Sequence, residues 1–162
     1  MANRFFMTRI RLLTAVALFV ATLQPAMAAD VIFPPGLRVG LLPPTGLSAA
    51  KSFPGFETED HSVKVLVTEL PAAAYAEVVN AFKASSPTST GVKPESIQTA
   101  AGLGYYTAEN AKDGNANVRR YSMILSGGTF SGYVAVQVPE NATKIYSDHG
   151  LRQMLASAAL RK

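Results

Sequence analysis

Cysteine and tryptophan are absent from the 162 residues, and histidine occurs only twice. Without thiols there is no disulfide framework and no Cys-ligated zinc module, nor a Cys after the leader for lipid attachment. Charged residues are sparse at 16%, yet 48% of the chain is hydrophobic, which excludes a disordered tail. Catalytic motifs are missing as well. Gly128-Thr129-Phe130-Ser131-Gly132 has the wrong spacing for a nucleophile elbow. Gly102-Leu103-Gly104-Tyr105-Tyr106 begins like a dinucleotide fingerprint but lacks the third glycine and runs into strand-like residues. No internal repeat is present.

What is there begins with a leader. Arg4, Arg9 and Arg11 precede an apolar run from Leu12 to Ala21, Pro25 ends any helix, and Ala26-Met27-Ala28 supplies small residues at a cleavage site. This order reads as a secretory signal peptide over residues 1–28, cut between Ala28 and Ala29. The apolar run is shorter than the roughly 20 residues of a transmembrane helix, and Arg9 and Arg11 are not adjacent, so a twin-arginine signal is unsupported. The expected location is periplasmic or secreted. Three of the 15 Lys and Arg lie in the leader and none of the 11 Asp and Glu, so residues 29–162 carry 12 basic against 11 acidic groups, a net +1. The basic balance of the whole chain therefore belongs to the leader, and nucleic acid is not an expected partner.

Residues 29–162 suit one domain. Prolines give an extended lead-in to residue 36, and Leu37, Val39 and Leu41 alternate as a strand. Phe53-Pro54-Gly55-Phe56 reads as a turn carrying two aromatics. From Ser62 to Thr68, Val63, Val65 and Val67 share one face, while Lys64, Leu66 and Thr68 form a partly apolar second face. Pro71 is expected to start a helix whose stripe is Tyr75, Val78, Val79 and Phe82, ending in a surface loop at 85–91. Strands follow at about 95–101 and 103–109. A hairpin over 117–125 and 129–138 turns at Ser126-Gly127-Gly128. A closing helix runs from Asp148 to Arg161, capped by Ser147 or Asp148, with Arg161 and Lys162 facing its negative end. Hairpins interrupted by one helix and closed by another predict an α+β domain with a mainly antiparallel sheet, and apolar residues on both strand faces predict helices packed on both sides.

Phe33-Pro34-Pro35-Gly36, Val39-Gly40-Leu41-Leu42-Pro43-Pro44, Phe53-Pro54-Gly55-Phe56 and the run Val63 to Phe82 resemble small exported proteins of alphaproteobacteria. The hairpin around Gly127-Gly128, the exit Val136-Gln137-Val138-Pro139 and the closing helix continue the likeness. More distantly, the layout is similar to the PsbP-like α/β/α sandwich, a group that includes the photosystem extrinsic protein, Ran-binding Mog-type proteins and DcrB-type envelope proteins. That resemblance implies an antiparallel sheet covered on both faces and an accessory or binding role without catalysis. No functional residue is carried over from it.

The residues themselves offer few chemical constellations. His61 follows Asp60 and His149 follows Asp148, pairs that in principle serve as base and orienter or as metal ligands. Adjacent residues point apart on a strand and about 100° apart on a helix, so adjacency builds no hydrogen bond. The pairs read equally as a turn and a first helical turn. Arg119 and Arg120 are consecutive, so a strand sends one to each face, where an anion or acidic surface can be gripped. Tyr105 and Tyr106, with Phe53 and Phe56, offer aromatic surface. The expectation is thus a non-enzymatic exported accessory or binding protein. Its candidate binding residues are Tyr105, Tyr106, Arg119 and Arg120, its partner is a protein or envelope component, and no cofactor or metal is assigned. The alternatives are a small-ligand or metal carrier and a small hydrolase using an Asp–His pair.

Overall fold

The computed structural model describes residues 30–84 and 92–162; the leader at 1–28 and the loop at 85–91 lie outside the described residues. Alternation sets the architecture. The strands are β1 (Val39–Gly40), β2 (Ser48–Ala49), β3 (Gly55–Glu57), β4 (Lys64–Pro71), β5 (Val92–Thr99), β6 (Gly102–Asp113), β7 (Ala116–Ser126), β8 (Phe130–Pro139) and β9 (Ala159–Leu160). The helices are α1 (Ala74–Ala84) and α2 (Asp148–Ala156). Seven strands form one antiparallel sheet in the order β2-β3-β4-β8-β7-β6-β5, and β1 pairs with β9 apart from it. The described chain is a single α+β domain.

Register explains the core. Val65 and Tyr121 flank Val136, Val67 and Met123 flank Val134, and Tyr106 stands opposite Met123. Since side chains alternate along a strand, all of these project from one face. Leu151, Met154 and Leu155 of α2 join them, as do Val39 and Leu41 of the lead-in. Each such side chain removed from water contributes about 1.5–3 kcal/mol. α1 rests on β4, β6 and β7. Val79 is its one buried residue; Tyr75, Val78 and Phe82 of the expected stripe are half-buried. The β7–β8 hairpin forms as expected: Gly127 N donates to Phe130 O at 2.8 Å and Gly128 takes φ +80°.

Four expectations are corrected. Pro71 ends β4 opposite Phe130 and does not start a helix; it lies where β4 has outrun β3, an edge position that tolerates a missing N–H. Phe53-Pro54-Gly55-Phe56 is not only a turn, since Gly55–Glu57 pairs with Lys64–Leu66. The strand expected at 37–41 narrows to Val39–Gly40. The closing helix stops at Ala156, because Ser157 Oγ donates to Met154 O and accepts from Leu42 N, which turns the chain into β9. Arg161 consequently faces no helix end; its N–H donates to Arg38 O and its guanidinium lies 4.9 Å over the Phe33 ring.

Two local devices seat these outer segments. Glu69 on β4 takes Arg38 in a fork: Nη2 and Nε stand 2.6 and 3.1 Å from Oε2, and the Arg38 backbone N–H donates to Oε1 at 2.6 Å. The same guanidinium lies 3.7 Å over Phe130. At Gly55, φ is +152° and an added Cβ would stand 1.9 Å from Val65 O. Only glycine fits there.

Two outcomes are expected. Gly55→Ala forces β3 off β4 and destabilises by about 2 kcal/mol or more, read as a lowered thermal midpoint. The side-chain bonds from Arg38 hold the Glu69 carboxyl below the usual carboxylate range, against a smaller opposing effect of burial. Its stabilisation is therefore present above the unfolded carboxylate value of about 4.3 and disappears as pH falls through the lower folded value. Glu69→Gln should cost about 1 kcal/mol near pH 7, with the gap to the parent protein shrinking in acid, as measured by urea unfolding at both pH values.

Candidate functional site

Strand parity separates the two arginines. Arg119 projects to the core side of β7, where its side chain is 14% exposed. Its Nη1 donates to Asn110 Oδ1 at 3.0 Å, its Nε stands 3.5 Å from Asp148 Oδ1, and it lies 5.7 Å from the Tyr121 ring centre. Tyr121 donates its hydroxyl to the same Asp148 oxygen. Ser147, whose Oγ accepts from Gly150 N at 3.2 Å, caps α2 beside them. An open cleft of about 640 Å³ is bordered by Asn110, Asn117, Arg119, Glu140 and Asp148. Asn117 Nδ2 donates to Glu140 Oε2 at 3.0 Å, so much of the cleft's polar lining bonds to itself.

Tyr106 belongs to a parallel cluster. It is buried in the core, its hydroxyl donates to Glu95 Oε1 at 2.5 Å, and Arg152 Nη1 stands 3.3 Å from that oxygen. The Arg152 guanidinium lies 5.5 Å over the Tyr106 ring. Burial first, then the bond to Glu95, pushes the Tyr106 hydroxyl up to about 12. Burial and the Asp148 bond push Tyr121 higher than the ordinary tyrosine value too. Tyr106 thus presents no contact surface, contrary to its place among the expected binding residues. Tyr105, one residue earlier, turns to the opposite face, half-buried under Lys83 at 4.9 Å.

On that opposite face Arg120 is half-buried, and its guanidinium has no hydrogen-bond or ion-pair partner among the described residues. It borders a shallow groove of about 270 Å³ with Phe53, Lys64, Leu66, Ala135 and Gln137. The register runs Lys64–Gln137–Arg120 across three strands, with Leu66 opposite Ala135 in the next row. Gln137 Nε2 donates to Asp113 Oδ2 at 2.6 Å. Phe53 sits on the rim, whereas Phe56 is fully buried. Lys64 and Leu66 were not among the expected site residues, although the partly apolar second face of their strand is visible in the sequence.

The histidines do not join their neighbouring aspartates. His61, at φ +58°, places Nδ1 2.9 Å from Glu57 Oε2. Asp60 instead accepts from Thr58, Ser62 Oγ and Ser62 N, bonds that bring its carboxyl down to about 2, with the Thr58 hydroxyl first. His149 is exposed in the first turn of α2, while Asp148 serves Tyr121 and Arg119. Among the described residues no three His, Asp or Glu side chains gather as a metal site, and no helix is long and apolar enough to cross a membrane.

No family model and no curated protein matches the sequence. Among solved structures, the Ran-binding protein Mog1p of Saccharomyces cerevisiae, determined at 1.9 Å, is similar at 13% identity with a TM-score of 0.44. The match covers 78% of this chain and 89% of that one.

The two raised tyrosines make an alkaline prediction. In the unfolded chain tyrosine ionises near pH 10, while in the fold both hydroxyls hold their protons longer. Their stabilisation is therefore complete below about pH 10 and falls as pH rises above it. Tyr106→Phe combined with Tyr121→Phe should flatten the alkaline decline of the thermal midpoint. Removing the bond to the exposed Asp148 alone should cost about 1 kcal/mol at neutral pH.

Proposed function

We propose that this chain is an exported, non-enzymatic binding protein of the periplasm or the cell exterior, acting by contact with a protein or an envelope component. The domain is assigned as an α/β/α sandwich of the PsbP-like kind, with one helix layer on each sheet face. In support, Leu151, Met154 and Leu155 of α2 share the core of Met123 and Leu125. Lys83 of α1 stands over Tyr105, which alternates with the core residue Tyr106. Export is supported by the basic, apolar and Ala26-Met27-Ala28 portions of the leader.

The observation that carries the binding reading is Arg120. Several polar groups that looked functional are engaged elsewhere, Arg119 with Asn110 and Asp148, Tyr106 with Glu95 and His61 beside Glu57, while His149 stands exposed. Such mutual pairing builds structure. Arg120 alone of the expected residues offers an unpaired charge beside exposed apolar surface, the mixture that contact surfaces use.

The test uses the full chain expressed with its leader in a bacterial host. Intact mass should place the new N-terminus at Ala29. A photocrosslinking residue at Phe53 or Leu66 should give one discrete protein adduct, and the same residue at the distant, exposed Ile145 should not. A retained leader removes the export reading. Absence of an adduct from every position removes the binding reading.

A further inference from the structure

We infer that the groove between Phe53, Lys64, Leu66, Arg120, Ala135 and Gln137 receives an acidic polypeptide segment that carries one large apolar side chain. The apolar side chain lies on Leu66 and Ala135 beside the Phe53 ring, and neighbouring carboxylates pair with Lys64 and Arg120, which stand in the adjacent row on either side of Gln137. This deepens the binding reading above and rests on it.

Charge decides the sign of the partner. The groove is lined by two cations and one amide and by no carboxylate. The acids nearest in register are otherwise placed or engaged: Glu57, opposite Lys64, is buried beside His61 Nδ1, and Asp113 accepts from Gln137. Glu109 stands opposite Arg120 on β6, exposed and outside the lining. The Lys64 ammonium, like the Arg120 guanidinium, has no hydrogen-bond or ion-pair partner among the described residues. Lys64 and Arg120 stand on either side of Gln137 in one row, a spacing at which a single acidic segment can meet both charges.

Shape decides the class of partner. About 270 Å³ falls below the range of pockets that enclose a small ligand, and the groove is open on the sheet surface. A free small molecule would keep much of its surface in water there. A polypeptide brings its own cover, because one anchoring side chain fills the hollow while the neighbouring chain shields its rim. Leu66, 38% exposed, and the Phe53 rim supply the apolar contact, and Arg120 supplies a planar fork for a carboxylate.

The experiment titrates the ¹⁵N-labelled domain, residues 29–162, prepared by cleavage of the exported chain, with a synthetic peptide in which one phenylalanine is flanked on each side by two glutamates. Saturable amide shifts are expected at Lys64, Leu66, Arg120, Ala135 and Gln137, weakening as salt rises. Lys64→Glu and Arg120→Gln should each weaken the peptide about fivefold or more. Lys64 is exposed, so its variant retains the fold even if Arg120→Gln disturbs β7. The proposal is overturned if a lysine-flanked peptide binds equally, if both variants bind as the parent does, or if the shifts fall elsewhere. It is also overturned if vesicles of phosphatidylcholine with phosphatidylglycerol engage these residues and the peptide does not. A protein adduct from Phe53 or Leu66 that survives Lys64→Glu and Arg120→Gln sinks this acidic-segment proposal and leaves the binding reading standing. No adduct and no peptide shift sink both.

Discussion

Water must be kept from the layer formed by Val65, Val67, Tyr121, Met123, Val134, Val136 and Val138, and the rest of the molecule is arranged to do this. The layer spans three neighbouring strands whose registers bring large residues side by side, so it cannot be reduced by a small shift in one strand. Three separate parts of the chain close over it: the lead-in through Val39 and Leu41, Tyr146 before α2, and α2 itself. The Arg38–Glu69 fork and the Ser157 link to Leu42 fasten the lead-in and the tail that make this cover. Close approach has a chemical condition as well. A Cβ at Gly132 would stand 2.9 Å from Val39 Cγ2, so a side chain there would lift the lead-in away from the sheet.

The opposite face follows a different logic. α1 buries only Val79 deeply, and the rows carrying Lys64, Leu66, Ala135, Gln137 and Arg120 form the groove. The same period of two that packs Val65 and Val67 inward sends Lys64 and Leu66 outward. Core and candidate contact surface are therefore two readings of one strand. A consecutive pair such as Arg119 and Arg120 is divided in the same way, one arginine fixed among Asn110, Asp148 and Tyr121 and the other directed to the groove.

Local pattern made part of this legible in the sequence. The alternation of Tyr121, Met123 and Leu125 against Val134, Val136 and Val138, with glycines between, specifies both strands and their hairpin. The parity of Arg119 and Arg120 is likewise local. What was not legible depends on partners far away in the chain. Pro71 resembles a helix start until β8 pairs with it, and Ala159-Leu160 lies within the expected closing helix until Val39-Gly40 captures it. The choice between Tyr105 and Tyr106 follows the same rule: alternation says they diverge, and only the register with Met123 says which is buried. The groove needed three strands in register before Arg120, Lys64 and Leu66 became neighbours.

The pairing of Val39–Gly40 with Ala159–Leu160 also has a kinetic side. Its partners lie about 120 residues apart, so closing that loop costs conformational entropy without help from intervening local contacts. Pairings of such wide sequence separation raise the contact order of the domain, which goes with slower folding. The small two-strand ribbon is thus the contact that ties the first described strand to the last.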